Sequence, residues 1–199
     1  MFKQINLENF IIKQDKLKNK YNEDSINLCS FIDENLSQKK IIELGCGSGL
    51  ISIFIEKNFD VNEINSVEIE HFAFEALIQN MNINNCSKIK PHNIDIKNLK
   101  NKFNHNSYDL IITNPPFFKI GKGKLSNNHE KLLARHEFLC NMKDIFHISS
   151  ALLRIGGYLI LCYPMTRHEE VTSNSADFGF VISRQKLSKK IIFYSLIKD

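Results

Sequence analysis

The chain has 199 residues, of which 43% are hydrophobic and 24% are charged, so it is long enough for one α/β domain with a substantial core and too short for two large domains. It lacks an apolar run near the length of about 18 residues that a membrane-spanning helix needs, and charged and amide side chains interrupt its N-terminus, so we predict neither a membrane span nor a signal peptide. The formal net charge of +4 is compatible with an anionic partner but does not demonstrate one.

The cysteines are scattered along the chain, without a CxxC pair and without histidines at metal-finger spacing. This pattern favours buried, reduced thiols over disulfides or zinc ligands. We therefore predict a cytoplasmic protein with no metal site. The five cysteines are Cys29, Cys46, Cys86, Cys140 and Cys162.

The first segment, residues 1–21, carries five lysines and few large apolar clusters. We interpret it as a peripheral basic arm that is either solvated or faces an anionic partner such as RNA. Apolar residues recur at helical spacing over residues 22–36, with Asp24 or Ser25 as the helix cap. This helix would pack on the sheet of a single domain, residues 22–199, and help to cover a crevice at the edge of that sheet.

A short apolar strand, a glycine turn and an apolar helix follow one another from Lys40 to Ile55, in KIIELGCGSGLISIFI. Such a turn places backbone N–H groups and a helix N-terminus beside a crevice, and its glycines let a ligand approach the main chain. A pyrophosphate or a nucleoside would suit this place. The dinucleotide fingerprint requires G-x-G-x-x-G, whereas Gly45, Gly47 and Gly49 alternate without interruption.

The remaining chain continues to alternate between strands and helices. The last two predicted strands are separated only by Ser188 and Lys189, too few residues for a parallel crossover, so they should form an antiparallel hairpin. We predict one Rossmann-like α/β domain with a mostly parallel, seven-stranded sheet and a C-terminal antiparallel hairpin. Further strands are predicted at 63–68, 88–94, 108–113, 158–163, 180–187 and 190–197; helices are predicted at 71–81, at 166–178, and from the N-cap Asn141 to a stop at Gly156 and Gly157.

The pattern E-x-G-x-G-x-G, which begins at Glu43, resembles motif I of the class I S-adenosylmethionine-dependent methyltransferases. The resemblance implies S-adenosylmethionine as the cofactor, with Glu68 on the ribose diol and Asp95 on the adenine amino group. Glu43 would orient the loop or meet the methionine ammonium. Alternatives remain for each carboxylate, since Glu70 competes with Glu68 for the ribose, both could cap the next helix, and Asp95 could cap a turn. The other implied cofactor contacts are Gly45, Cys46, Gly47, Gly49, Ile69, Ile96 and Asn114.

Asn114, Pro115, Pro116 and Phe117 follow a nearly continuous apolar strand and resemble the N-P-P-aromatic signature of methyltransferases that act on planar nitrogens. The lone pair of such an exocyclic amine is delocalised into the ring, which makes the amine a poor nucleophile. The Asn114 side-chain carbonyl and the Pro115 backbone carbonyl can accept its two N–H groups, on a loop that prolines stiffen. Phe117 offers a ring for base stacking, and we nominate no general base.

The longer stretch NPPFFKIGKGKLSNNHEKLLARHE is similar to the bacterial tRNA (adenine-N6)-methyltransferases that modify the adenine beside the anticodon of a valine tRNA. Two features depart from that family, because Phe117 replaces the common tyrosine and the region after Tyr163 is short. A basic loop beside an aromatic platform would suit a splayed-out RNA base, although its lysines could be merely solvated and its Arg135 and His136 could be structural. The implied substrate contacts are Phe118, Lys119, Lys122, Lys124, Arg135 and His136.

The resemblance therefore implies a tRNA methyltransferase that is a monomer or a weak dimer, without a membrane or metal partner. A related motif also serves enzymes that methylate a glutamine amide of translation release factors, which carry a sizeable helical domain in front, and enzymes that methylate guanine-N2 of ribosomal RNA. A DNA adenine methyltransferase would need a recognition domain for which there is little room. A non-catalytic RNA-binding module with the same fold is the non-enzyme alternative.

Overall fold

The computed structural model describes residues 2–7, 9–15, 23–32, 35–37, 39–115, 117 and 140–199. Among these residues the strands are β1 (Phe2–Leu7), β2 (Phe10–Asp15), β3 (Lys40–Leu44), β4 (Glu63–Glu68), β5 (Ile89–Asn93), β6 (Tyr108–Thr113), β7 (Leu153–Pro164), β8 (Phe180–Ser188) and β9 (Ile191–Lys198). The helices are α1 (Glu23–Phe31), α2 (Leu50–Asn58), α3 (His71–Ile83), α4 (Met142–Leu152) and α5 (His168–Asp177), with 3₁₀ turns at Ile96–Asn101 and Met165–Arg167.

The main sheet has seven strands in the order β5-β4-β3-β6-β7-β9-β8. In this order the first five strands, β5, β4, β3, β6 and β7, pair in parallel. Strand β9 pairs antiparallel with both β7 and β8. The predicted fold class is thus confirmed, including the C-terminal hairpin, whose turn is Lys189 and Lys190, one residue later than predicted. Strand order reverses between β3 and β6, which is the point where open α/β sheets bind ligands.

Apolar side chains cover both faces of the sheet. Central strands such as β6 bury residues on both faces, as their continuous apolar runs predict. One core packs α1, α2 and β2 against one face, and the other packs α4 and α5 against the opposite face. No helix in the described ranges is long and apolar enough to span a membrane.

Helix α4 begins as predicted but ends earlier. The Asn141 side chain accepts a hydrogen bond from the Asp144 N–H, and the Asp144 carboxylate accepts one from the Asn141 N–H, both at 3.0 Å, which forms a capping box. The predicted stop at Gly156 and Gly157 is wrong, because α4 ends at Leu152 and β7 runs through both glycines. A Cβ at Gly157 would lie 2.9 Å from the Arg154 carbonyl oxygen, so close backbone approach explains this glycine.

Strands β1 and β2 form a separate antiparallel hairpin that docks on α3. Ile12 is fully buried. The side-chain amides of Asn80 and Asn84 each accept from and donate to the main chain of β2, at Lys13 and Ile11, over 2.7 to 3.1 Å. Neither this pairing nor its docking is predicted from the sequence, in which these residues are interpreted as part of a peripheral arm.

Candidate active site

The carboxyl ends of β3, β4 and β6 meet at one edge of the sheet, where the strand order reverses. The Thr113 hydroxyl, at the end of β6, donates to the Leu44 carbonyl at the end of β3 over 2.8 Å. The N–H groups of Gly45 and Cys46 donate to the Val67 carbonyl of β4 over 2.9 and 3.0 Å. These bonds fix the glycine turn between its two neighbouring strands.

Three glycines of this turn adopt the left-handed backbone conformation that disfavours other residues, with φ of 68° at Gly45, 55° at Gly47 and 86° at Gly49. A Cβ at Gly45 or Gly47 would meet no atom within 4 Å, so this part of the turn faces open space. A Cβ at Gly49 would instead lie 2.4 Å from Cδ1 of Leu77. The turn thus combines an open cradle with one tightly packed position at the start of α2. Cys46, between the first two glycines, is buried.

Glu68 is the carboxylate that joins β4 to the glycine turn. It is 8% exposed and accepts the N–H groups of Gly47 at 2.8 Å and Glu70 at 2.9 Å. Burial raises the pKa of its carboxyl, and these hydrogen bonds counteract the rise. Glu70 instead occupies the N-cap position of α3. Ile69, the residue between them, is 37% exposed at the same edge.

Glu43 lies beneath the turn. It is 2% exposed, accepts the Ser52 N–H at 2.9 Å and also contacts the Ser52 hydroxyl, which is 2.6 Å from the Ser66 hydroxyl. Burial raises the pKa of the Glu43 carboxyl to about 8. These contacts connect β3, α2 and β4, and they suit the loop-orienting alternative of the two roles predicted for Glu43.

The raised pKa of Glu43 predicts a pH-dependent stability. The folded protein retains a proton on this carboxyl up to about pH 8, whereas the unfolded chain releases it near the ordinary glutamate pKa of 4.5. The free energy of unfolding should therefore decrease as pH rises through this window, by up to about 5 kcal/mol. Glu43→Gln, which cannot ionise, should remove this part of the dependence. Urea denaturation at several pH values measures it, and equal pH slopes for both proteins would contradict the prediction.

Asp95 caps the 3₁₀ turn Ile96–Asn101, since its side chain accepts the Lys97 N–H at 2.9 Å. Its side chain is half-buried, and that of the next residue, Ile96, is buried. The hydrogen bond to Lys97 agrees with the second of the two roles predicted for Asp95, that of capping a turn. The contacts of Asp95 and Ile96 with an adenine remain predictions.

Asn114 lies at the carboxyl end of β6, and the structure shows two partners of its amide. Its Nδ2 donates to the Ser25 hydroxyl of α1 over 2.8 Å, and its Oδ1 accepts from the Cys162 thiol of β7 over 3.2 Å. Helix α1 therefore reaches this edge of the sheet, where the sequence predicted that a helix covers the crevice. Pro115 is buried. Ser25 and Cys162 were not predicted as site residues, and no local signal in the sequence distinguishes them, because they reach Asn114 only through tertiary contact.

Phe117 is half-buried, and its ring centroid lies 6.2 Å from that of Tyr163. The guanidinium of Arg167 donates through Nη1 to the Phe117 carbonyl at 3.3 Å. Neither Tyr163 nor Arg167 was predicted as a site residue. The remaining predicted residues lie outside the described residues: Pro116, Phe118, Lys119, Lys122, Lys124, Arg135 and His136.

The edge combines the features that a nucleoside cofactor and a planar amine need. The open cradle at Gly45 and Gly47 can accept a ligand against the main chain, and the buried Glu68 carboxylate adjoins it. Directly after the neighbouring strand β6, the Asn114 side chain and the Pro115 carbonyl provide hydrogen-bond acceptors. Within the described ranges, histidine, cysteine and acidic side chains form no group of three or more that could hold a metal ion.

Several solved structures share this fold. The chain aligns over its full length with 87% of M. jannaschii TYW2 in complex with AdoMet, at a TM-score of 0.65 and 13% identity. TrmN from Thermus thermophilus aligns with 88% of this chain over 48% of its own length, at a TM-score of 0.65 and 17% identity. At these identities the likeness shows the fold alone.

Several curated relatives carry the name tRNA1(Val) (adenine(37)-N6)-methyltransferase. The protein of Flavobacterium johnsoniae is 24% identical over 170 residues, which are 85% of this chain and 71% of the relative. That of Tolumonas auensis is 27% identical over 178 residues, or 88% and 72%. That of Porphyromonas gingivalis is 27% identical over 146 residues, and the chain spans just 56% of its length.

A family model described as Methyltransferase small domain matches residues 18–163. This range includes β3 to α4, and therefore the glycine turn, Glu68 and Asn114. Because the match extends over well more than half of the chain, the protein belongs to the methyltransferase small domain family and is an S-adenosylmethionine-dependent methyltransferase.

Proposed function

We propose that this protein transfers a methyl group from S-adenosylmethionine to the exocyclic N6 amine of an adenine in tRNA, namely the anticodon-loop adenine of valine tRNA. The observation that carries the proposal is that Asn114 and Pro115 directly follow β6, the strand that pairs with β3. The hydrogen bond from Thr113 to Leu44 joins the ends of these two strands, so Asn114 and Pro115 lie beside the glycine turn. The names of the relatives support the choice of substrate. We infer that the protein acts on tRNA in the cytoplasm.

The glycine turn and the carboxylates beside it would hold the cofactor. A ligand can approach the main chain at Gly45 and Gly47, where a Cβ would meet no other atom. Glu68 would accept from the ribose hydroxyls, Asp95 from the adenine amino group, and Ile69 and Ile96 would contact the adenine ring. The bound cofactor supplies an electrophilic methyl group on its sulfonium. The protein's part is to hold this group and the amine in line.

Asn114 would hold the substrate amine. Its Oδ1 accepts from the Cys162 thiol, which is a weak donor that an adenine amine can replace at small cost. The Ser25 hydroxyl takes the Nδ2 side of the amide, which keeps the oxygen directed to the other side. With the Pro115 carbonyl as the second acceptor, the amine nitrogen turns its lone pair toward the methyl group. Phe117 would stack on the base. The methylated nitrogen would be acidic enough to release its proton to water, so no general base is assigned.

The test is methyl transfer from labelled S-adenosylmethionine to unmodified valine tRNA, ribosomal RNA, duplex DNA and release factor in parallel, with nucleoside or peptide analysis of each labelled product. We expect N6-methyladenosine in the tRNA. Label in a glutamine would favour release-factor methylation, and label in guanine-N2 would favour ribosomal RNA methylation. Cofactor binding without transfer to any substrate would contradict the proposal, and failure to bind the cofactor would favour a non-catalytic RNA-binding module.

A further inference from the structure

Arg167 is a nearly buried arginine beside the loop that the proposed function assigns to the substrate. It ends the 3₁₀ turn Met165–Arg167 after β7, and it is 7% exposed. Its Nε and Nη2 donate to the two carboxylate oxygens of Glu170 over 3.1 and 2.8 Å. Its Nη1 donates to the Phe117 carbonyl over 3.3 Å. One guanidinium thus links α5 to the main chain of the loop after β6.

The ring of Tyr163 contacts both Arg167 and Phe117. The Arg167 guanidinium carbon lies 4.7 Å from the centroid of the Tyr163 ring, and the Phe117 ring centroid lies 6.2 Å from it. Phe117 is therefore held twice, through its carbonyl by Arg167 and through its ring by Tyr163. The planar fork of arginine allows a bidentate contact with one carboxylate together with a third donor on another group.

A buried ion pair is weak evidence for stability, because desolvation of both charges offsets their attraction and an apolar pair of similar volume often serves as well. The position after β7 could hold an apolar residue if packing were its purpose. Burial and the bidentate pairing with Glu170 also leave this guanidinium poorly placed to bind a phosphate. Unlike an apolar residue, Arg167 provides a fixed donor to the Phe117 carbonyl.

We propose that Arg167, itself oriented by Glu170, is a positioning residue that fixes Phe117 for stacking on the substrate base. The expected effect of Arg167 on methyl transfer rests on the proposed function, whereas its contact with Phe117 does not. It assigns to Arg167 no contact with the cofactor or with the reacting atoms. Loss of the Arg167 contact should therefore lower the rate of methyl transfer while the affinity for the cofactor remains unchanged.

The kinetic test compares Arg167→Met and Arg167→Lys with the wild type. Lysine keeps a positive charge for Glu170 but cannot contact two carboxylate oxygens and the Phe117 carbonyl together. We expect both variants to lower kcat about 10- to 100-fold at saturating tRNA, since a misplacement near 1 Å can have such an effect. The dissociation constant of S-adenosylmethionine should stay within about two-fold of the wild type, because Arg167 is not a cofactor ligand.

Arg184 offers a matched control in the same chain. Its guanidinium carbon lies 4.0 Å from the Phe31 ring centroid, and its Nη1 donates to the Phe31 carbonyl over 2.9 Å. Like Arg167, Arg184 contacts an aromatic ring and a phenylalanine carbonyl, but it is half-buried and both contacts are with Phe31, which is not part of the loop after β6. Arg184→Met should change kcat by less than about two-fold, as expected for a site with no effect on the reacting groups. An equal loss in both methionine variants would indicate a general packing effect and overturn the proposal.

A second readout does not depend on activity. With 4-fluorophenylalanine at position 117, the wild type should give one sharp ¹⁹F resonance, and both Arg167 variants should shift or broaden it, whereas Arg184→Met should not. An unchanged resonance in the Arg167 variants would refute the positioning role whether or not the enzyme methylates tRNA. If the wild type methylates no nucleic acid but the resonance responds as expected, the proposed function fails while the role of Arg167 in fixing Phe117 stands.

Discussion

Asn114→Ala is expected to lower kcat for methyl transfer by about 10²- to 10³-fold, the range found when one preorganised hydrogen-bond partner of a transition state is removed. The variant loses the acceptor for one N–H of the substrate amine, so the lone pair stays delocalised in the ring. The Pro115 carbonyl remains as the second acceptor, which leaves residual activity. Single-turnover methylation of unmodified valine tRNA, with calorimetric titration of S-adenosylmethionine, measures the two effects separately.

Asn58→Ala is the control, because Asn58 is exposed at the far end of α2 and its side chain donates to the Phe54 carbonyl over 2.8 Å. This variant should retain wild-type kcat. Cofactor affinity in Asn114→Ala should fall far less than kcat, since the glycine turn and Glu68 are unchanged. A loss that appears entirely in cofactor affinity would instead place Asn114 among the cofactor ligands and remove its role as the amine acceptor.

The sequence predicts the central sheet well because the apolar residues within a strand indicate that the strand is buried. The bounds of β4 and β6 agree with the prediction, and β6, which is buried on both faces, is a nearly continuous apolar run. The β1–β2 hairpin has no such signal. Its position depends on amides of Asn80 and Asn84, about 70 residues later in the chain, which bond to its main chain. Periodicity within the hairpin does not encode that contact.

The residues of the candidate site also fall into two groups, those that the sequence predicts and those that only the packing of the elements reveals. The glycine turn, Glu68 and Asn114 are recognisable because their chemistry follows the ends of adjacent strands, and parallel strands bring those ends together. Ser25, Cys162 and Arg167 contact the loop after β6 from α1, β7 and the turn after β7. Each is an ordinary residue of its element, so the contact appears only when the elements are packed. The residues predicted to meet ligands are thus recognisable in the sequence, whereas those that contact Asn114 and Phe117 from other elements are not.

Gly49→Ala is expected to reduce the free energy of unfolding by about 2–5 kcal/mol, which combines left-handed backbone strain with overpacking. The new Cβ would lie 2.4 Å from Cδ1 of Leu77, a fully buried side chain that must move into an occupied core. Movement of Leu77 would also shift α3 against the start of α2, and with it the turn that adjoins Glu68. Urea denaturation measures the stability, and titration with S-adenosylmethionine should show weaker binding.

Gly179→Ala separates strain from packing, because Gly179 has a φ of 73° but a Cβ there would meet no atom within 4 Å. This control should lose just the backbone contribution, about 1 kcal/mol. Gly49→Ala combined with Leu77→Ala should lose less stability than the sum of the two single changes, since the smaller side chain makes room for the new methyl group. Strict additivity would show that Leu77 is not the obstacle, and the requirement for glycine at position 49 would then rest on its backbone conformation alone.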